Sequence, residues 1–194
     1  MKVGILYFTG TGVTGYVARL IAEGLEAFSG IERGGRCEVE LLRFKKGMTL
    51  DPARFDLLGF GAPTYSFFPP RIFYRFLKNL SAGRGDTPGK PFFLFNTSHH
   101  LPGITVRAMY RALSSKGWTL AASPLFVRGV NNIRAWRFPK GLPPPRDSLS
   151  GLPGVERLVH RLLDLAGENP GSYSPPKREP DLRLRPGLAL FTAL

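Results

Sequence analysis

Val3-Gly4-Ile5-Leu6-Tyr7-Phe8-Thr9-Gly10-Thr11-Gly12-Val13-Thr14 runs from six apolar or small residues in unbroken succession into a cluster of glycines and threonines. A short apolar run without alternation is the pattern of a strand buried on both faces. Directly after the cluster, Tyr16, Val17, Leu20, Ile21, Gly24 and Leu25 recur at helical spacing. A buried strand, a Gly/Thr turn and an amphipathic helix are the first elements of a βαβ unit, so the expected fold is a parallel α/β sheet.

The junction also has a chemical meaning. A helix that starts there leaves several backbone N–H groups without partners and presents the positive end of its dipole. Glycines let the backbone approach an oxyanion, and threonine hydroxyls add donors. Thr9, Gly10, Thr11, Gly12, Val13 and Thr14 therefore read as a phosphate cradle. Gly10, Gly12 and Gly15 satisfy the spacing of the dinucleotide motif G-x-G-x-x-G, but the second strand ends in Leu41-Leu42-Arg43, with no acidic residue to hold a ribose. The Gly-Lys-Ser/Thr of a P-loop is also missing. The plain alternative, a helix cap with turn glycines, accounts for one threonine rather than three.

Outward from this junction the alternation continues. Strands are expected at Glu38 to Phe44, Phe55 to Gly61 and Pro91 to Asn96, with a last core strand at Leu120 to Val127 that is interrupted by Pro124. Helices are expected from about Pro70 to Leu80, carrying Ile72, Phe73, Phe76 and Leu77, and from Ile104 to Lys116, ending at Gly117. The sum is a doubly wound, five-stranded parallel sheet covered on both faces. After Val127 a long connection carries Asn131-Asn132, Trp136, Phe138 and Pro143-Pro144-Pro145, and a final helix is expected at Val155 to Leu165. Residues 1–167 are read as one domain and 168–194 as a Pro/Arg-rich extended tail.

Composition narrows the chemistry. At 194 residues the chain can bury a substantial core, and 27 Lys+Arg against 14 Asp+Glu give a net charge of +13. The cations are spread along the chain without a block or stripe, which reads as a basic, solvated surface that attracts acidic partners. Cys37, the single cysteine, cannot form an internal disulfide, a four-cysteine zinc site or a four-cysteine iron–sulfur cluster, and is read as a buried small residue. His99-His100 suggests a metal, but adjacent residues point different ways and no Cys or carboxylate lies at ligand spacing, so no metal is expected. His160 and Asp164, one helical turn apart, read as a surface pair. No apolar run approaches the ~18 to 20 residues of a membrane helix. A cytoplasmic protein without a membrane partner is expected.

Thr9-x-Thr11-Gly12-x-Thr14 after an apolar strand resembles the FMN-phosphate loop of flavodoxins, and the opening is similar to the flavodoxin domain of the flavodoxin-plus-ferredoxin family, without the clustered cysteines of a ferredoxin part. Phe55 to Tyr65 resembles the family's third strand and the loop bordering the flavin ring. Asn96-Thr97-Ser98 corresponds to a second ring-binding loop, and Asn131-Asn132-Ile133 resembles a segment after the fifth strand. The resemblance implies strand order 2-1-3-4-5, bound FMN, and a function in electron transfer with the redox steps belonging to the flavin, no side chain being the catalyst. The cofactor-binding residues it implies, beside the phosphate loop, are Pro63, Thr64, Tyr65, Ser66, Phe67, Asn96, Thr97, Ser98, His99 and Asn131. In an open parallel sheet these loops share the carboxyl edge of the strands, where ligands bind. Tyr65, Phe67 and Phe68 can supply a flat aromatic wall, with Tyr65 the first choice for stacking, while Thr64, Asn96, Thr97 and Ser98 can supply hydrogen bonds. Phe73 and Phe76, at helical spacing, read as core.

Two other readings stand beside the carrier and its acidic redox partner protein. One is an NAD(P)H-dependent flavin or quinone reductase on the same scaffold, with Arg71, Arg134 or Arg137 anchoring the nucleotide. The other is a cofactor-free basic module for nucleic acid or an acidic protein, disfavoured because no helix-turn-helix, RNP or zinc-finger signature is present.

Overall fold

The computed structural model describes residues 1–32, 37–80, 89–99, 103–127 and 153–167. Strand β1 (Lys2–Tyr7) leads into helix α1 (Val13–Glu32), followed by β2 (Glu38–Arg43), a 3-10 turn at Pro52–Arg54, β3 (Leu57–Pro63) and α2 (Arg71–Asn79). Then come β4 (Pro91–Thr97), α3 (Thr105–Ser114), β5 (Thr119–Leu120), β6 (Leu125–Val127) and α4 (Pro153–Gly167). All pairings in the sheet are parallel, in the order β2-β1-β3-β4-β5, with β6 also on β4.

The expected fifth strand is thus two strands in line. Pro91 and Phe92 pair with Thr119 and Leu120, whereas Phe95 to Thr97 pair with Leu125 to Val127. Phe93 and Leu94 therefore face four residues, Ala121 to Pro124. Pro124 has no N–H to give a ladder, which explains the break. Because the excess is two residues, the alternation of faces is preserved: Leu125 and Val127 are buried and Phe126 is exposed.

Side chains leave the two faces of the sheet into separate layers. Val3, Ile5, Phe93 and Phe95 pack with Val17, Ile21 and Leu25 of α1 and Val155, Val159 and Leu162 of α4. On the other face Leu6, Leu58, Phe60, Phe92 and Leu94 meet Phe73 and Leu77 of α2 and Met109 and Leu113 of α3. Gly24 lets α4 approach α1, since a methyl group there would lie 2.9 Å from Val159. Gly59 and Gly61 of β3 lie opposite Phe93 and Phe95 of β4, and each glycine is covered by its partner's ring, so that a Cβ on either would enter that ring. Phe73 is fully buried, as its helical spacing requires. None of the described helices is long and apolar enough to cross a membrane. The connection at 128–151 and the tail at 168–194 lie outside the described residues.

Candidate functional site

Parallel strands bring every strand's carboxyl end to one edge, and three loops described there carry the residues singled out in the sequence. The first joins Tyr7 to Val13. Thr9 Oγ1 accepts a hydrogen bond from Gly12 N at 3.0 Å, and the Gly12 carbonyl accepts the helical bond from Tyr16 N at 2.9 Å. Gly12 has φ +97° with nothing near its Cβ position, so glycine is favoured there by backbone conformation rather than by space. Gly10 is favoured by space: the Tyr65 hydroxyl lies against it, where a side chain would stand. Helix α1 has no acidic residue in its first turn, so that turn supplies no carboxylate to the positive end of the dipole. Val13 and Thr14 are buried. Thr14 Oγ1 is 2.8 Å from Thr97 Oγ1, which ties the head of α1 to the end of β4.

The second loop leaves β3 at the buried Pro63. Tyr65 and Phe68 exchange backbone hydrogen bonds of 2.9 and 3.0 Å, closing a two-residue turn over Ser66 and Phe67. Those residues have φ +47° and +68°, the left-handed pair that a tight hairpin of this kind demands and that Asn and Gly usually fill. A side chain in this region costs about 1–2 kcal/mol per residue. Tertiary contacts hold the turn: Ile104 N donates to the Phe67 carbonyl at 2.8 Å, and the Phe67 backbone lies against Gly103 so closely that a Cβ there has no room. The result presents Phe67 to solvent at 42% exposure, while Tyr65 stays half-buried, edge-on to Phe8 at 6.4 Å. Burial raises the Tyr65 phenol above its usual pKa. Behind Phe8 stand Phe44 and Phe73, at ring separations of 6.1 and 6.3 Å. Phe68 packs edge-on against Tyr74 instead, at 5.4 Å.

The third loop extends from β4. Asn96 Nδ2 donates to the Ala62 carbonyl at 2.9 Å and to Thr64 Oγ1 at 3.0 Å, and Thr64 Oγ1 is 2.8 Å from Thr105 Oγ1 at the head of α3. Thr64 N donates to the Thr97 carbonyl and Ser98 N to that of Val127, both at 2.9 Å. Asn96 and Ser98 are buried, yet among the described residues Asn96 Oδ1 and Ser98 Oγ have no hydrogen-bond partner. Leaving such a group unmatched costs about 1–3 kcal/mol, so two of them, two residues apart at the end of β4, suit a polar ligand. His99 follows, half-buried.

The structure therefore brings Thr9 to Thr14, Pro63 to Phe67 and Asn96 to His99 to one edge. Asn131 lies outside the described residues, as do Arg134 and Arg137. Sequence reasoning did not find Phe8 and Phe44 as the backing of Tyr65, nor Gly103 and Thr105 as supports from α3. A glycine just before a helix was the available signal for the first of those supports. Cys37 is elsewhere: buried just before β2, it lines an open cavity of about 800 Å3 at the opposite edge, with Lys2, Glu38 and Asp56. Burial raises its thiol pKa. Among the described residues no three His, Cys, Asp or Glu side chains gather to hold a metal.

The donor set suits a flavin nucleotide: backbone amides at the head of a helix for a phosphate, exposed and half-buried aromatics, and buried amide and hydroxyl oxygens unmatched among the described residues for a polar ring edge. No protein-family model and no curated protein matches the chain. Solved structures do. A flavodoxin from the domain Archaea superposes with a TM-score of 0.62 at 16% identity, covering 84% of this chain and 97% of its own. Flavodoxin 2 from Bacillus cereus gives 0.60 at 19% identity, covering 84% and 99%. A flavodoxin, WrbA-like protein from Agrobacterium tumefaciens gives 0.57 at 18%, covering 85% and 96%. Likeness at such identities speaks of architecture, and together with the strand order it establishes that this chain has the flavodoxin fold.

Proposed function

We propose that residues 1–167 form a domain that binds FMN without a covalent bond and passes electrons through it to or from an acidic redox partner protein. The observation that carries the reading is the meeting of the Thr9–Thr14 loop, at the head of a helix without an acidic first turn, with the unmatched Asn96 Oδ1 and Ser98 Oγ beside Tyr65 and Phe67. When bound, FMN supplies the one- and two-electron chemistry that no side chain here can perform.

The chain's own residues have distinct tasks. The Thr9–Thr14 amides and hydroxyls hold the phosphate, charge-assisted bonds of this kind being worth about 1.5–3 kcal/mol each. Gly12 keeps that approach open, and Gly10 makes room for the Tyr65 hydroxyl. Tyr65 and Phe67 flank the ring and exclude water, and the strained turn fixes Phe67 in an orientation a relaxed loop would not hold. Asn96, Thr97 and Ser98 bond to the ring's polar edge, with Thr64 orienting Asn96 through the bond to Nδ2, and His99 adds a polar group beside them. The basic surface favours a partner of opposite charge.

Carrier and reductase part in one experiment. In anaerobic stopped-flow mixing of the FMN-loaded protein with NADPH, a carrier keeps its flavin absorbance until a separate reductase is added. Bleaching within seconds by NADPH alone, at typical enzyme rates of about 1 to 10³ per second, refutes the carrier assignment.

A further inference from the structure

We infer that the carboxyl edge of the sheet is a docking surface for an acidic redox protein, with cations from the end of β2, α2 and α3 standing around the exposed Phe67 and Ile72. The inference rests on the electron-transfer reading and adds where the partner sits and what holds it.

In a parallel sheet with returning helices, strand carboxyl ends and helix starts share one edge. Arg43 is the last residue of β2, in register with Tyr7, and Lys45 and Lys46 follow it. Arg71 and Arg75 lie in the first turns of α2, and Arg107 in the first turn of α3. All six are exposed. The described carboxylates lie mostly elsewhere. Glu38 and Asp56 surround Lys2 at the opposite edge, at 3.5 Å from its Nζ and 2.6 Å from its backbone N. Glu40 is 3.1 Å from Arg54, and Asp51 caps the 3-10 turn through Ala53 N at 3.0 Å. Glu23 and Glu26 lie beyond the midpoint of α1, and Asp164 is late in α4. Glu156, in the first turn of α4, is the exception, and Arg157 follows it.

Lys2, Lys78, Lys90 and Lys116 stand toward the opposite edge, where the carboxylates offset them, so it is the net charge of the described residues that is polarised along the strand direction. A six-residue strand separates the two edges by about 20 Å, more than the roughly 8 Å screening length at physiological ionic strength. An approaching protein consequently meets the cationic edge with little influence from the carboxylates of the opposite one. On the same edge, between β3 and the first turn of α2, Phe67 and Ile72, 42% and 41% exposed, are the two most exposed large apolar side chains among the described residues. Exposed apolar side chains among arginines are the composition of a protein interface. Its complement is a protein whose redox centre is ringed by carboxylates, which charge steers into register and the apolar side chains then hold.

The test titrates a fluorescently labelled acidic plant-type ferredoxin with the full chain, apo and FMN-loaded, and reads anisotropy. Binding is expected in both forms, weakening at least about tenfold between roughly 0.02 and 0.3 M salt, while a basic cytochrome c fails to bind. Arg75→Glu with Arg107→Glu should weaken it about tenfold or more. Lys78→Glu with Lys116→Glu, the same change of net charge at the far ends of α2 and α3, should change it less than about threefold. FMN uptake by each variant, read by fluorescence quenching, shows that both fold. Equal losses in the two variants, insensitivity to salt, or equal affinity for cytochrome c overturn the proposal. Tighter binding of duplex DNA or phosphatidylserine vesicles, lost in the Arg75/Arg107 variant, also overturns it by assigning the face to a different polyanion. Ferredoxin binding by a chain that takes up no FMN would sink the cofactor reading and leave the docking surface standing.

Discussion

Replacing Gly61 by alanine puts a methyl group where the Phe95 ring already lies. Three atoms of that ring, Cζ, Cε2 and Cε1, are the nearest neighbours of a Cβ at this position, and all are inside contact distance. The ring has no exposed surface into which to move, and the backbone has little freedom, because Gly61 is paired with Tyr7 on one side and Phe95 on the other. Overpacking in such a site typically costs about 1–3 kcal/mol, and the fixed strand on each side argues for the upper half of that range. Against it stands a gain of about 0.4–1 kcal/mol, because alanine restricts the unfolded chain more than glycine does. The net expectation is a loss of about 2 kcal/mol, or roughly 4–8 °C in Tm for a chain of this size. Urea unfolding followed by tryptophan fluorescence measures the first, with an unchanged m-value showing that the two states are the same. Phe95→Leu should recover part of the loss in the double variant, since the methyl then meets a smaller side chain, giving a coupling of opposite sign to the single effects. A Gly61→Ala protein within about 0.5 kcal/mol of wild type, roughly the noise of such comparisons, would refute the ring-over-glycine packing.

Thr11→Val should weaken FMN by about ten- to a hundredfold while leaving riboflavin nearly unaffected, because the hydroxyl is assigned to the phosphate; parallel quenching titrations check this, and equal losses would remove Thr11 from the phosphate site. Above pH 10 the Tyr65 phenol matters for stability: burial raises its pKa, so the folded state holds the proton longer than the unfolded one, and this contribution is fully present below pH 10 and is lost as pH rises through the folded-state pKa. Unfolding free energies from about pH 9 to 11.5 should fall more steeply for wild type than for Tyr65→Phe, and identical slopes would contradict the assignment.

How much of this was legible beforehand depends on whether the information was local. The Val3–Phe8 run and the Gly/Thr turn announced a buried strand and the turn into a helix because both signals lie within a dozen residues. Phe73 and Phe76 could be assigned to packing from helical spacing alone, and Phe76 indeed meets Phe44 at 5.3 Å. The break at Pro124 was visible, but not that four residues would span two, which depends on the register with β4. Ser66 and Phe67 carry none of the usual marks of a left-handed turn, which is imposed by Ile104 and Gly103 from 37 residues away in the case of the Ile104–Phe67 bond. Glycine is a poor strand former, and only the pairing of Gly59 and Gly61 with Phe93 and Phe95 explains their place in β3. At the candidate site, which loops share the edge was readable and the bonds between them were not: Thr14 to Thr97 and Thr64 to Thr105 span 83 and 41 residues. The same holds for charge, whose total is a property of composition but whose polarity along the sheet appears only once the strands are aligned.

The central claim, that this edge of the sheet binds FMN, is tested most directly by titrating the purified apoprotein into a micromolar FMN solution and following flavin fluorescence. The account predicts quenching that reaches a plateau at one protein per FMN, with the flavin absorbance bands shifted in the complex. Fluorescence that stays constant to a severalfold excess of protein would contradict it.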